Sequence, residues 1–287
     1  MLATTPQRAL AWGDDGHKTV ALIAQHYLTP AAKTMVDAML AADTDNNLTA
    51  HDFASEATWA DKYRDSNNRR DHYEQTQQWH FVDMEILNAD IGKACFGRFP
   101  LPAGTLASNG PPMACVVDKA KQFTDELGAP GTDPKERLFA LKFLLHFAGD
   151  MHQPLHSSDN NDRGGNSVKV SADGIPHKSK DELHGYWDTQ FVDAIGGKSP
   201  PALAAKSVKQ ITPDQEMSWS AGSFDEWAME AFMLSVSDAY GSPPLSKDKA
   251  QHLDAAYVAR AEKDVAQQLS KAGVRLASVL NKALGSN

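Results

Sequence analysis

His146 and Asp150 stand four residues apart, and so do His184 and Asp188. On a helix this spacing places an imidazole and a carboxylate one turn apart on one face, where they can share a metal ion. Either pair alone reads better as an ordinary surface or half-buried ion pair. Two such pairs carry more weight. The first also interrupts a strongly apolar stretch, Leu138 to Ala148, where an unpaired polar group costs free energy that a bound cation removes. His156 follows Pro154, which turns the chain off the helix axis and lets the ring return toward the same place. Imidazole and carboxylate without thiolate pairs suit zinc in an open, catalytic kind of site better than a closed structural one.

Helices must present these groups, and the periodicity of the chain is helical. Val20, Ile23, Ala24 and Tyr27 fall on one face of a first helix, and Pro30 opens a second from about Ala31 to Leu40. A third is expected from His51 to about Tyr63, after the polar turn Asp43 to Asn47. Asp133 and Pro134 read as the cap and first turn of a long helix through Leu138, Leu141, Leu144 and Leu145, reaching at least Gly149 and stopped by Pro154. Glu182 to Gln190 has the composition of a further helix. The one convincing β signal is Ser167-Val168-Lys169-Val170, alternating like a short strand or hairpin arm after the run Asn160 to Asn166. From about Ser246 onward Leu253, Tyr257, Val265, Leu269, Leu276, Val279 and Leu280 recur at helical intervals, as in a core-packing helix or pair. Only loops separate these segments. The expected architecture is therefore all-α: a single mainly helical domain, 12–287, with a small β-hairpin.

A chain of 287 residues with 41% hydrophobic content buries a core without needing a second domain. No stretch approaches the roughly 20 apolar residues of a membrane-spanning helix. The formal net charge of -9 argues against a passive electrostatic binder of nucleic acid, which needs a dense basic surface. Ala9-Leu10-Ala11 before Trp12 has the small-x-small pattern of a signal-peptidase site, although Met1 to Arg8 holds no apolar segment. Residues 1–11 thus read as a leader or signal-peptide remnant, with a disordered leader as the alternative. Cys95 and Cys115 flank a Gly/Pro-rich stretch from Gly97 to Pro112, which suits a disulfide closing a surface loop in an oxidising compartment; two reduced thiols remain the alternative.

The ordered motifs Trp12-Gly13-x-x-Gly16-His17, Trp59-Ala60-Asp61, Trp79-His80-Phe81, His146-Phe147-Ala148-Gly149-Asp150-Met151-His152-Gln153-Pro154-Leu155-His156, Asp162-Arg163-Gly164-Gly165-Asn166 and Leu183-His184-Gly185-Tyr186-Trp187-Asp188 follow one another along the chain. In them the sequence resembles the zinc-dependent nucleases that include fungal single-strand-specific nucleases and plant bifunctional nucleases, with bacterial relatives. The resemblance implies three zinc ions. Asp61, His80, His146 and Asp150 would hold one, with Asp150 bridging to a second; His17 and the amine and carbonyl of Trp12 would hold that second ion; His156, His184 and Asp188 would hold the third. His26, His51, His72, His152, His177 and His252 fall outside this set. Trp12 can offer an amine only after cleavage between Ala11 and Trp12, because an amide nitrogen has no available lone pair. The implied activity is metal-assisted hydrolysis of single-stranded DNA and RNA to 5′-phosphorylated products, in a secreted or periplasmic and monomeric enzyme. Cations supplied by metal then offset the acidic surface. By the same comparison Phe81 stacks a nucleobase, Asp83 accepts its hydrogen bonds, Glu85 orients the attacking water, and Thr189 stands where some relatives carry a substrate-contacting asparagine.

Two other readings compete. A zinc phospholipase C shares the three-zinc helical architecture but uses glutamate where Asp188 stands, and Trp59-Ala60-Asp61 with His184-x-x-Trp187-Asp188 follows the nuclease pattern. A non-catalytic helical metal-binding protein would saturate its ions. Nine candidate ligands over three ions leave positions open for water and substrate.

Overall fold

The computed structural model describes residues 12–44, 46–67, 70–176 and 181–285, so the leader expected over 1–11 and His177 lie outside the described residues. Helix α1 (Asp14–Tyr27) buries Val20, Ile23 and Ala24 on the face that their spacing demands, and His17 with them. Helix α2 (Pro30–Ala41) opens on its proline, and the Thr29 hydroxyl accepts the Ala32 N–H. The segment expected as one helix over His51–Tyr63 is broken into α3 (Phe53–Glu56) and α4 (Trp59–Asp65). Asp52 sets the start of α3 by accepting the N–H groups of Ala54 and Ser55. The break at Ala57 and Thr58 turns the Ala57 carbonyl toward α8 (Pro134–Asp150), where it meets His146.

Helix α5 (Asp71–Thr76) runs into a 3-10 turn, Gln77–His80, followed by strand β1 (Met84–Glu85) and the short α6 (Ile91–Ala94). Cys95 and Cys115 are disulfide-bonded and close the loop that leads to α7 (Val116–Gly128). Helix α8 begins as expected, with the Asp133 carboxylate accepting the Lys135 N–H and Pro134 in the first turn. It packs on α7 through the stacked rings of Phe123 and Phe143, 4.8 Å between centroids. After Asp150 the chain makes a further 3-10 turn, Pro154–His156, and enters β2 (Ser158–Asp159), which pairs in parallel with β1.

The expected hairpin is reduced to one antiparallel bridge, Lys169 to Glu182, flanked by Val170 N–H to Asp181 C=O at 2.7 Å and Leu183 N–H to Val168 C=O at 2.8 Å. The longer pairing goes elsewhere: β3 (Val170–Ala172) lies parallel to β4 (Gln251–Leu253), in the register Val170↔Gln251. β4 in turn leads straight into the closing helix. Between β3 and β4 come α9 (Leu183–Gly185), a π turn over Tyr186–Gln190, α10 (Phe191–Gly196), α11 (Pro200–Gln210), α12 (Pro213–Trp219) and α13 (Phe224–Leu234).

The tail forms one continuous helix, α14 (Ala255–Leu284), of 30 residues and so about 45 Å long. It lies along α1, where Gly273 comes so close that a Cβ there would stand 2.5 Å from Ile23 Cβ. Among the described residues no helix is long and apolar enough to cross a membrane. The core thus forms around α1, α8 and α14, and the histidine-bearing ends of α1 and α8 meet inside it.

Candidate metal centre and substrate cleft

Five of the sequence-predicted residues converge where α1, α4, α8 and the Gln77–His80 turn meet. Asp150 Oδ2 lies 2.8 Å from His80 Nδ1 and 3.3 Å from His146 Nε2, while its Oδ1 lies 3.5 Å from His17 Nε2. Asp61 Oδ1 stands 3.5 Å from His146 Nε2 and 3.7 Å from His80 Nδ1. The rings of His17 and His146 stack at 3.8 Å. Gly149 makes this approach possible, because a Cβ there would lie 2.7 Å from His17 Nδ1. Trp12 is fully buried beside them, and its indole N–H donates to the Gly149 carbonyl at 2.8 Å.

His156, His184 and Asp188 form an adjoining group. His184 Nε2 lies 3.4 Å from Asp188 Oδ2 and 3.2 Å from His156 Nε2. The second ring nitrogen of each imidazole is held by the main chain: His184 Nδ1 on the Gly164 carbonyl at 2.6 Å, and His156 Nδ1 on the His80 carbonyl at 3.0 Å. His146 is held in the same way by Ala57, at 2.7 Å. A carbonyl only accepts, so each Nδ1 carries a proton, and in the neutral ring Nε2 is the nitrogen left to offer a lone pair to a cation. As neutral rings, His156 and His184 would confront each other lone pair to lone pair across 3.2 Å, beside Asp188 Oδ2 at 3.4 Å from His184 Nε2. That contact is unfavourable unless a cation lies between them.

The first group calls for a cation as well. His17 Nδ1 and Nε2, His80 Nε2, His146 Nε2 and Asp150 Oδ1 are buried without a hydrogen-bond partner among the described residues, a state that costs free energy unless a metal takes up the lone pairs. Burial pushes His17, His80 and His156 well below the ordinary imidazole range, and the neighbouring histidines add to it. Burial acts on His146 in the same direction, but the Asp150 and Asp61 carboxylates outweigh it and hold that ring up at about 9. Burial raises Asp150 well above the carboxylate range. Asp61 is also buried, yet Arg64 and His146 hold it well below that range. The donor set is thus imidazole and carboxylate, with main-chain partners fixing the rings, which is how catalytic zinc sites are built.

Beside these groups opens a cleft of ≈ 250 Å³ lined by Arg64, Tyr73, Phe81, Asp83, Arg163 and Asn166, with His184 also in its wall. Phe81 lies against the His156 ring, 4.5 Å between centroids. Solvent reaches Asp83, but protein crowds its carboxyl, and this desolvation with the Asp159 charge pushes it up to about 7. Asn166 donates to the Arg163 carbonyl at 2.8 Å and so shapes the turn as well as lining the cleft.

Two sequence-predicted residues are not brought to this cleft. Strand β1 alternates, so Met84 points inward and Glu85 outward. Glu85 is exposed, 3.3 Å from Lys93, and lines an adjoining recess with Asp90. Thr189 follows Asp188 in the π turn, so its side chain leaves the helix in a different direction, and it lines a separate recess with Gly13, Asp15 and Lys198.

Two residues to which the sequence reading gave no role, Arg64 and Gln153, complete the site. Arg64 Nη1 reaches Asp61 Oδ1 at 2.6 Å, an i,i+3 pair that the Asp61–Arg64 spacing on α4 could have signalled. Gln153, buried, donates to Asp188 Oδ1 at 2.5 Å and accepts the Leu155 N–H at 2.5 Å. His152 stays outside the cluster, as expected, with Nδ1 on Ala148 C=O at 2.7 Å and Nε2 accepting from Arg275 at 2.8 Å. It thereby ties the end of α8 to α14.

Comparison with known proteins agrees with this geometry. A family model described as S1/P1 nuclease matches residues 12–285, beginning at Trp12. Nuclease P1 of Penicillium citrinum is 28% identical over 298 residues, covering 96% of this chain and 98% of that protein. Nuclease S1 of Aspergillus oryzae is 28% identical, over 96% of this chain and 92% of its own length. Endonuclease 2 of Arabidopsis thaliana is 25% identical, over 96% and 91% respectively.

Proposed function

The chain belongs to the S1/P1 nuclease family, and from that premise we propose that it is a secreted, zinc-dependent nuclease hydrolysing single-stranded DNA and RNA to 5′-phosphorylated products. Asp61, His80, His146 and Asp150 would hold one zinc ion, and Asp150 would share a second with His17 and the amine and carbonyl of Trp12. His156, His184 and Asp188 would hold a third. The observation that carries this reading is the convergence of His156 Nε2, His184 Nε2 and Asp188 Oδ2, 3.2 and 3.4 Å apart about His184 Nε2, with each ring locked by a carbonyl on its other nitrogen. Zinc bound in these places supplies Lewis acidity, lowering the pKa of water and offsetting charge that develops on a phosphodiester.

The protein's own groups bind and orient the substrate. Phe81 and Tyr73 offer aromatic faces to an unpaired base. Near neutrality Asp83 exchanges its proton readily, so it serves as donor or acceptor to a base edge and suits a tolerant base preference. Arg64 keeps Asp61 ionised and places a cation beside the phosphate site. The role expected of Glu85 has no geometric support, since its side chain faces away from the cluster. Release of the α-amine of Trp12 by cleavage after Ala11 would complete the second site and would accompany export.

Homopolymeric DNA and RNA incubated with the processed protein should yield 5′-nucleotides, and a chelator should abolish the release. Phosphatidylcholine in parallel should remain intact. A zinc-loaded protein that cleaves no phosphodiester from acidic to neutral pH would leave only metal binding.

A further inference from the structure

After β2 the chain makes a turn in which Asn161, Arg163, Gly164 and Gly165 all have positive φ, at 53°, 64°, 59° and 81°. Glycine takes this conformation freely and asparagine tolerates it, whereas a long side chain such as arginine is strained there. The turn is firmly imposed. Asp159 Oδ1 accepts the N–H groups of Asp162 and Gly164 at 3.0 and 3.1 Å, and Asp162 Oδ1 accepts the Gly165 N–H at 2.8 Å and the Tyr240 hydroxyl at 2.7 Å. Its purpose is plain in the next bond, since the Gly164 carbonyl holds His184 Nδ1. If the backbone alone mattered, glycine would serve better than arginine at position 163. The side chain needs its own account.

Arg163 is exposed and lines the cleft beside Phe81, Asp83 and His184. Of the two arginines there, Arg64 is engaged by Asp61 at 2.6 Å and Asp65 at 3.2 Å. Arg163 has no carboxylate within ion-pair distance among the described residues, and its neighbours Asp159 and Asp162 are occupied by main-chain N–H groups and Tyr240. An unpaired guanidinium one residue from the carbonyl that supports a metal-site histidine, on a chain of net charge -9, presents a planar fork matched to phosphate.

We propose that Arg163 anchors a phosphate of the single-stranded substrate that flanks the scissile one. The inference rests on the nuclease reading above and deepens it. Arg163 contributes nothing at the scissile phosphate and makes the cleft favour a strand with at least one further phosphate.

The test uses two substrates: a dinucleoside monophosphate, whose single phosphate is the scissile one, and a trinucleoside diphosphate, which adds a flanking phosphate. The holoenzyme is compared with Arg163→Gly, which suits the left-handed backbone and so preserves the turn, and with Arg163→Lys, which keeps a point charge. Arg163→Gly should lower kcat/KM on the trinucleoside diphosphate by roughly tenfold, the worth of a charge-assisted contact, and leave the dinucleoside monophosphate unchanged. Arg163→Lys should fall between. In Arg163→Gly the slope of log kcat/KM against log salt on the longer substrate should become shallower by about 0.7, one phosphate contact on a single strand. Equal losses on both substrates, or no loss on the longer one, would overturn the assignment to a flanking phosphate. If the wild-type enzyme cleaves neither substrate, the nuclease reading itself fails and takes this inference with it.

Discussion

Replacing Gln153 with leucine removes one amide and releases two parts of the site. Its Nε2 donates to Asp188 Oδ1 at 2.5 Å, turning Oδ2 toward His184 Nε2 at 3.4 Å. Its Oε1 accepts the Leu155 N–H and closes the Pro154–His156 turn that carries His156. A hydrogen bond to a charged acceptor is worth about 1.5–3 kcal/mol net. That corresponds to a loss of roughly 10- to 100-fold in affinity for a cation at His156, His184 and Asp188, the range expected when a group that orients a ligand is removed. Calorimetric titration of the metal-stripped protein with zinc should therefore show one class of site weakened by that factor and the sites around Asp150 unchanged. Gln153→Glu sharpens the test, because it keeps the shape but sets a second carboxylate against Asp188. With its proton on, the new carboxyl donates to Asp188 and restores the bond; without it, two like charges meet. The defect relative to wild type should shrink as pH falls. If Gln153→Leu and wild type titrate identically, the amide does not orient Asp188, and a pH-independent defect in Gln153→Glu would refute the proton-dependent contact.

Cleavage between Ala11 and Trp12 converts an amide nitrogen into an amine with a lone pair, so the processed protein should bind one more zinc ion than the uncut chain and turn over faster. Equal zinc content in the two forms would refute that. Lys119 is fully buried over the Trp79 ring, 3.9 Å from its centroid, and donates to the Ala107 carbonyl; burial lowers its ammonium to about 7. A depressed folded pKa gives a contribution to stability that is present above the ordinary lysine range and lost as pH falls through about 7. Thermal stability should carry a component that rises from neutral pH toward the ordinary lysine range, and Lys119→Met should remove it. The Cys95–Cys115 disulfide spans a sequence separation of 20, and replacing both cysteines with serine should cost about 3 kcal/mol, measured by denaturant unfolding.

The residues that converge at the candidate metal centre were legible in the sequence because each requirement is local. An HxxxD spacing on a helix needs no knowledge of the rest of the chain, and α8 delivers His146 and Asp150 to one place as the spacing demands. What was not legible depends on partners far along the chain. The break between α3 and α4 lies in a segment of good helical composition, and its cause is a carbonyl claimed by a histidine 89 residues away. The hairpin arm after Asn166 was visible as alternation, but its edge is taken by β4, which no local signal near Val170 announces. Glu85 and Thr189 were placed by position within a motif, and both line neighbouring recesses instead of the cleft, because strand alternation and helical rotation decide side-chain direction one residue at a time.

The same long-range bonds explain why so much of the fold serves so few atoms. Three imidazoles that face the site are each held by a main-chain carbonyl from a different segment: Ala57 between α3 and α4, His80 at the end of a 3-10 turn, and Gly164 in the left-handed turn. A carbonyl cannot donate, so these bonds fix the tautomer as well as the ring plane, without adding charge. Side-chain carboxylates in those places would raise imidazole basicity and compete with Asp61, Asp150 and Asp188 for the ions. A helix-interior carbonyl already accepts the N–H four residues on and points along its own helix, so it is poorly placed to meet a ring from another segment. The three supports here come from a break, a turn and a turn's end. On this argument the irregular segments, where the chain departs from the helices its composition favours, are the parts of the backbone that fix the rings of the candidate ligands.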